Sequence, residues 1–338
     1  MRSAAKIPPA LPEWLWEGRI PRGAITLEVG EGKVGKSTHA VMVAALLSRG
    51  ELTGHPERSL LCLQEDHEAF VTVPRLMVAG ADLDFVDLDS DPGYRFPRDL
   101  KRLDARLKTQ PYGLVVIDPL DASVPALASQ KARSILDDLA AIAKKHGVAV
   151  ICLHHFTKSG STIGQRIGGG RAVQAAARSI LTLSTVDRIA AIILELPEDG
   201  DYVVLSHFAC NYGRTAEPLL FERLSEPHPI DGGGSVALLV DRGELGDIDP
   251  EIVSSDHTQG WKRRAARALI ERSLLHGPAT AEDLESDVMV VEVISTETFH
   301  RARGELVAEG TIETYQHNGR HWWRLSLVPD LAPEEGDQ

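Results

Sequence analysis

The eight residues Gly30-Glu31-Gly32-Lys33-Val34-Gly35-Lys36-Ser37 satisfy the spacing GxxxxGK[ST] in full. They follow the apolar run Ala24–Val29 and precede a helical pattern through His39–Ser48. A strand that feeds a glycine turn and then a helix is the setting in which this spacing binds phosphate. Gly30, Gly32 and Gly35 let the backbone curl so that N–H groups, with those of Val34 and Thr38, face an anion. The helix N-terminus adds unpaired donors and the positive end of its dipole. Lys36 is expected to reach the β- and γ-phosphates and Ser37 to ligate Mg²⁺. The ligand is therefore read as a nucleoside triphosphate, taken as ATP, with Mg²⁺. Base contacts are not legible in the sequence. Lys36 is expected to stand exposed in the empty loop, so that its loss costs little stability.

The rest of the first two thirds of the chain agrees with that start. Apolar runs at Ser59–Leu63, Leu114–Ile117 and Val148–Leu153 alternate with helical patterns, one of which stops at Gly147. They are apolar throughout, as strands buried on both faces are. The expected class is α/β: a P-loop core with a mostly parallel sheet joined by right-handed crossovers. Ser179–Leu183, Ala191–Leu196 and Tyr202–Phe208 follow closely and read as further strands joined by hairpins.

Several strand ends carry chemistry. Asp118 closes Leu114-Val115-Val116-Ile117 and is placed to hold the Mg²⁺ shell. Gln64-Glu65-Asp66 follows the next strand after the P-loop helix. A carboxylate there could orient the attacking water and take its proton, and Asp66 competes with Glu65 for that role. His154-His155 ends the strand after Asp118, where a histidine can bond the γ-phosphate. Adjacent residues on a strand face opposite ways, which speaks against both binding one metal. The Gly/Ser-rich stretch Ser159–Gly170, with Lys158, Arg166 and Arg171, reads as a cationic track for a phosphodiester chain or as a plain surface loop.

Charge bounds the partners. The 36 Lys and Arg against 49 Asp and Glu leave a net charge of −13, so any nucleic acid must be met by local basic loops. The three cysteines, Cys62, Cys152 and Cys210, sit in apolar runs without zinc spacing. With no apolar leader in Met1–Pro12 and no membrane-length apolar run, a cytoplasmic location with reduced thiols and no membrane partner is expected.

From Trp261 the pattern changes to Lys262–Leu275, Ala281–Ser286 and Thr296–Glu309 as helices, the last capped by Ser295 and ended by Gly310. A hairpin follows, Thr311–Tyr315 with His321–Leu327, around Asn318-Gly319. That order is the order of a winged helix-turn-helix. Thr296, Thr298, His300, Arg301 and Arg303 lie on the third helix, which would enter a major groove. Glu297, Glu305 and Glu309 share it, and the competing reading is a protein-docking or dimerising module. The expected organisation is an arm over 1–22, a core over 23–226, the end of the core and a linker over 227–260, the helical module over 261–328 and a tail over 329–338.

Taken in order, GEGKVGKST, QEDHE, LVVIDPL, HHFTK-SG, RIGGG and AARSILTLS resemble the RecA-superfamily ATPases of the RepA type, hexameric replicative helicases of mobile elements. The resemblance runs from about Ile20 to Leu224, and Cys210-Asn211-Tyr212-Gly213 is similar to that family's Asn-containing strand end. It does not extend to the large N-terminal domain of DnaB-type helicases or the zinc ribbon of RadA-type recombinases, for which the stretch before the first strand is too short. It implies a RecA-like core, a ring of copies (most often six) and ATP hydrolysed between protomers. Glu65 would be the catalytic glutamate, His155 the nucleotide sensor, and Arg166 or Arg178 an arginine finger acting in trans. Single-stranded DNA would be gripped in the channel by Lys158, Arg166 and Arg171. The C-terminal module is an addition to that family, and its likeness to helix-turn-helix DNA readers implies duplex DNA met by Thr298, Arg301 and Arg303. A non-unwinding regulatory ATPase and a nucleotide-gated assembly module without DNA are the rival readings.

Overall fold

The computed structural model describes residues 3–89, 93–127, 129–157, 160, 162–197, 199–246, 260–289 and 294–326. Two compact units divide the chain: Met1–Thr185 with Gly200–Pro250, and Val186–Asp199 with Glu251–Gln338.

The first unit is built on a nine-stranded sheet. A small N-terminal hairpin, β1 (Trp14–Trp16) with β2 (Ile20–Pro21), precedes it. Then come β3 (Ile25–Gly30), α1 (Lys36–Ser48), β4 (Ser59–Leu63), α2 (Val73–Val78), β5 (Val86–Leu88), α3 (Leu100–Thr109) and β6 (Leu114–Asp118). They are followed by α4 (Leu120–Ser123), α5 (Gln130–His146), β7 (Ala149–His155), α6 (Ile163–Arg166), α7 (Gly170–Ala176) and β8 (Ser179–Thr185). After the second unit's α8 (Arg188–Ile193), the strands β9 (Tyr202–Cys210), β10 (Leu219–Pro227) and β11 (Ser235–Glu244) complete the sheet. The strand order is β11-β10-β9-β8-β3-β7-β6-β4-β5. From β8 to β5 every pairing is parallel, and the three pairings from β8 to β11 are antiparallel. This is the α/β, mostly parallel arrangement expected of a P-loop ATPase core.

Both faces are covered, which is why the strands lack alternation. Leu27, Val29, Val115, Ile117 and Val150 pack with Leu136, Leu139 and Ala143 of α5. On the other face Leu61, Leu63, Val116, Ile151 and Leu153 pack with Val41, Ala44 and Leu47 of α1. Ser129 caps α5 by accepting from the Ala132 N–H, and Gly147 ends it in the left-handed region. One polar pair interrupts the second core: His39 Nδ1 lies 2.8 Å from Glu28 Oε2, with both side chains fully buried. It ties α1 to the strand behind the P-loop.

One expectation needs correction. The apolar run Ala191–Leu196 is not a strand: α8 spans Arg188–Ile193, capped by Asp187, whose carboxylate accepts from the Ala190 N–H at 2.8 Å. Within the stretch 227–260, expected to hold the end of the core and a linker, β11 pairs with β10 from Leu219↔Glu244 to Pro227↔Ser235 and forms the sheet's edge. Residues 247–259 of that stretch lie outside the described residues.

The second unit contains α8, α9 (Trp261–Leu275), β12 (Ala279–Thr280), α10 (Ala281–Met289), α11 (Thr296–Ala308), β13 (Ile312–His317) and β14 (Arg320–Leu325). Its antiparallel sheet runs β12-β14-β13, and the short β12 had no signal in the sequence reading. The Asn318-Gly319 turn has φ of 50° and 74°, as the hairpin requires. Ser295 caps α11 by accepting from the Thr298 N–H. Ala266, Leu269, Ile270, Leu284, Phe299, Ala302 and Leu306 supply its buried residues. Among the described residues no helix is long and apolar enough to cross a membrane.

Candidate active site

Parallel register brings the chemistry to one sheet edge. Gly30 pairs with His155, and Leu63 pairs with Asp118. Because β7 lies between β3 and β6, His155 stands between the P-loop and Asp118. The strand order reverses here, the place where open α/β sheets bind ligands. A cavity of about 300 Å³ is lined by Lys33, Gly35, Lys36, Ser37, Thr38, Glu65, Asp66, Arg75, Asp118, His155, Arg223 and Ala237.

The loop itself is strained and braced. Gly35 sits at φ 112°, open only to glycine, and Lys33 is a non-glycine residue at φ 67°. Arg223 on β10 donates to the Lys33 carbonyl at 3.1 Å while its other nitrogens grip Asp201 at 2.8 and 2.9 Å. Lys36 is buried, at 6% exposure, against the expectation that it stands free. Its ammonium donates to the carbonyls of Gly30 at 3.0 Å and Glu31 at 2.8 Å and lies 3.2 Å from His155 Nδ1. Burial lowers its pKa below the usual lysine value, opposed by the carboxylates of Glu28, Asp118, Glu31 and Glu65.

Ser37 Oγ donates to Asp118 Oδ2 at 2.6 Å. Burial, opposed by that hydrogen bond and reinforced by nearby Glu65, pushes the Asp118 carboxyl up to about 6. A hydroxyl and a carboxylate side by side next to a phosphate cradle are hard oxygen donors that fit Mg²⁺, which keeps most of its waters. Among the described residues no cluster of three or more His, Cys, Asp or Glu offers an all-protein metal cage. The residues present therefore fit a magnesium–triphosphate ligand: a buried cation held on replaceable carbonyls, a curled loop and a paired oxygen donor set.

Glu65 and Asp66 differ. Asp66 is held by Arg75 at 2.5 Å. Glu65 is exposed at the cavity and has no hydrogen bond among the described residues, which leaves its carboxylate available to a water. His154 faces away from the cavity. It is 6% exposed, burial lowers its pKa, and Gly168 packs against it so closely that a Cβ there would lie 2.3 Å from Nε2.

The two candidate fingers are separated. Arg166 is at the phosphate edge, ion-paired with Glu31 of the P-loop and 4.8 Å over the Phe156 ring. Arg178 immediately precedes β8, where its N–H donates to the Ile25 carbonyl at the start of β3. The length of β3, roughly 16 Å at strand rise, separates that position from the P-loop. The Asn211 N–H donates to the Arg178 carbonyl at 2.9 Å, so the Asn-containing strand end shares the far edge. Arg171 lies in α7, and Lys158 lies outside the described residues.

On α11, Arg301 is exposed and paired with Glu297 at 2.8 Å. Arg303 is half-buried between two rings, 5.4 Å from Phe299 and 4.8 Å from Trp323. Thr298 is engaged with the Ser295 cap.

The sequence reading missed Arg75 and Arg223. Arg75, nine residues after Asp66 on a helix whose face was undetermined, could have been suspected as its partner. Nothing in spacing ties Arg223 to a loop 190 residues earlier.

Residues 2–161 match the family model of the AAA domain. That segment contains the P-loop, Glu65, Asp118 and His155, and the match indicates a P-loop ATPase domain of the AAA type there. Arg166, Arg178 and the second unit lie beyond it. No curated protein matches the chain.

Proposed function

We propose that the chain is an ATP-driven motor acting on single-stranded DNA, of the RepA helicase type, assembling into a ring that hydrolyses ATP between copies. The observation that carries this reading is that both ends of the segment 155–166 contact the phosphate site. At one end His155 reaches Lys36, and at the other Arg166 reaches Glu31. A motor needs such a link between phosphate occupancy and a loop that grips its track.

In this function Lys36 and the loop amides hold the β- and γ-phosphates, and Ser37 and Asp118 hold Mg²⁺. The metal, when bound, neutralises charge on the phosphates. Glu65 orients a water and takes its proton. His155, bonded to Lys36, moves with the lysine as phosphates arrive and leave. Arg178, at the edge away from its own P-loop, is the side chain suited to serve a neighbour as finger.

For the second unit we favour protein docking over reading duplex DNA, although its element order is that of a winged helix. Arg303 is held against two rings, and Glu297 and Glu305 share the helix with the two arginines, which opposes strong phosphate binding. The test is steady-state ATP hydrolysis by the full chain with and without single-stranded DNA, beside strand displacement on a forked duplex. Stimulation with displacement supports the motor. Stimulation alone favours a regulatory ATPase, and no response to DNA favours a nucleotide-gated assembly module.

A further inference from the structure

The segment 157–166 is closed at its neck. The Thr157 N–H donates to the Arg166 carbonyl at 2.7 Å, the Thr157 hydroxyl donates to the same oxygen at 3.2 Å, and Phe156 bridges to Ile167. The Phe156 N–H donates to the Gly30 carbonyl at 3.3 Å, fastening the neck to the P-loop. At this neck the Arg166 guanidinium, 9% exposed, lies between the Phe156 ring and the Glu31 carboxylate. Glu31 is the second residue of the phosphate cradle, and its side chain is about half exposed.

Two cations at this edge are thus held on oxygens of the P-loop itself. Lys36 rests on the Gly30 and Glu31 carbonyls, and Arg166 on the Glu31 carboxylate. Both are replaceable partners. A guanidinium fork matches a carboxylate and a phosphate equally well in shape, and a terminal phosphate brings more charge and more acceptors. Arg166 is also tied to its own P-loop and to Phe156 just after its own β7, which leaves little reach toward another copy.

We propose that Arg166 is a terminal-phosphate ligand of its own protomer, exchanging the Glu31 carboxylate for the γ-phosphate, and so separates triphosphate from diphosphate, rather than being a finger in trans. This rests on the P-loop being the nucleotide site. The exchange moves the guanidinium that packs on the neck, so the neck feels the γ-phosphate and not the diphosphate.

The experiment compares full-length wild type, Arg166→Ala, Arg166→Lys and Glu31→Gln at a concentration where light scattering gives monomer. Dissociation constants are measured for Mg-ADP and for a non-hydrolysable ATP analogue with Mg²⁺. Hydrogen exchange is followed at the Thr157 amide. Arg166→Ala is expected to weaken the analogue about tenfold while ADP changes less than twofold, with part of the loss restored by Lys. The analogue, and not ADP, should alter Thr157 exchange in the wild type but not in Arg166→Ala. Glu31→Gln, which removes the competing carboxylate, should tighten the analogue more than ADP. Equal loss for both nucleotides, or a loss that appears only in assembled protein, would overturn the proposal. Wild type that binds neither nucleotide would instead remove the nucleotide-site reading, and this proposal with it.

Discussion

The phosphate edge of the first unit and helix α11 of the second both carry charged side chains and use them in opposite ways. At the phosphate edge Lys36 and Asp118 are buried and rest on groups that a ligand can replace, and Glu65 stands exposed beside them. Lys36 sits on backbone carbonyls, Asp118 on a serine hydroxyl, and Glu65 on nothing among the described residues. On α11 the charges satisfy one another. Arg301 pairs with Glu297, Arg267 of α9 with Glu309, and Arg303 is stacked between rings. A site that binds keeps groups short of partners, whereas a face that packs does not. The first pattern marks where chemistry is expected, and the second is the reason α11 is read as a poor phosphate-binding face despite its arginines.

The largest effect expected on this contrast is at Lys36. Lys36→Ala should lower ATP hydrolysis about 100-fold or more. It should also destabilise the empty protein by about 1–3 kcal/mol, because the Gly30 and Glu31 carbonyls lose a buried donor. Denaturant titration of the unliganded protein checks the second part, and a variant as stable as wild type would show that the lysine is as free as the sequence reading held.

Glu65→Gln should retain nucleotide binding and slow hydrolysis by about 100-fold, the contribution of a positioned base. Asp66→Asn should slow hydrolysis less and instead loosen α2 by releasing Arg75. Single-turnover hydrolysis beside equilibrium binding separates these. The reverse order would transfer the base to Asp66.

The pH dependence follows from Asp118, whose carboxyl is raised to about 6. Between about 4 and 6 the folded chain binds this proton more tightly than the unfolded chain does, so the group's contribution to stability falls as pH rises through that window. Mg²⁺ requires the ionised form. Magnesium-dependent nucleotide affinity should therefore drop as pH falls through about 6, and Asp118→Asn should flatten that dependence. A magnesium effect unchanged as pH falls well below about 6, where the raised carboxyl is mostly protonated, would separate Asp118 from the metal.

The smallest effects belong to α11. Arg303→Ala should cost about 1–2 kcal/mol of stability through lost ring contacts, and Arg301→Ala less than about 0.5 kcal/mol, as for an exposed pair. Neither should change duplex DNA binding more than about twofold, against the roughly one-unit loss of salt slope per phosphate contact that a DNA-reading helix would show. A large loss for either would break the contrast between the two regions.

Much of this was readable in the chain because the P-loop dictates its own surroundings. A strand, a curled loop and a helix come with the spacing, and parallel register then carries Asp118, Glu65 and His155 to the same edge. What was not readable has physical reasons. The run Ala191–Leu196 is too short for periodicity to separate helix from strand, and the Asp187 cap decided it. β11 hides in a Gly- and acid-rich stretch because an edge strand carries charges such as Asp241, Arg242 and Glu244 on its outer end. The burial of Lys36, the brace from Arg223 and the Arg166–Glu31 pair are long-range contacts, and spacing is silent about them.

The central claim is that phosphate occupancy sets the grip of this chain on single-stranded DNA. Fluorescence anisotropy of a labelled single-stranded oligonucleotide, titrated with the full chain at fixed salt, tests it directly. Binding in the presence of Mg²⁺ and a non-hydrolysable ATP analogue is predicted to be at least about tenfold tighter than with Mg-ADP, one decade being about 1.4 kcal/mol of coupling. Equal affinity in the two nucleotide states, or no binding in either, would contradict it.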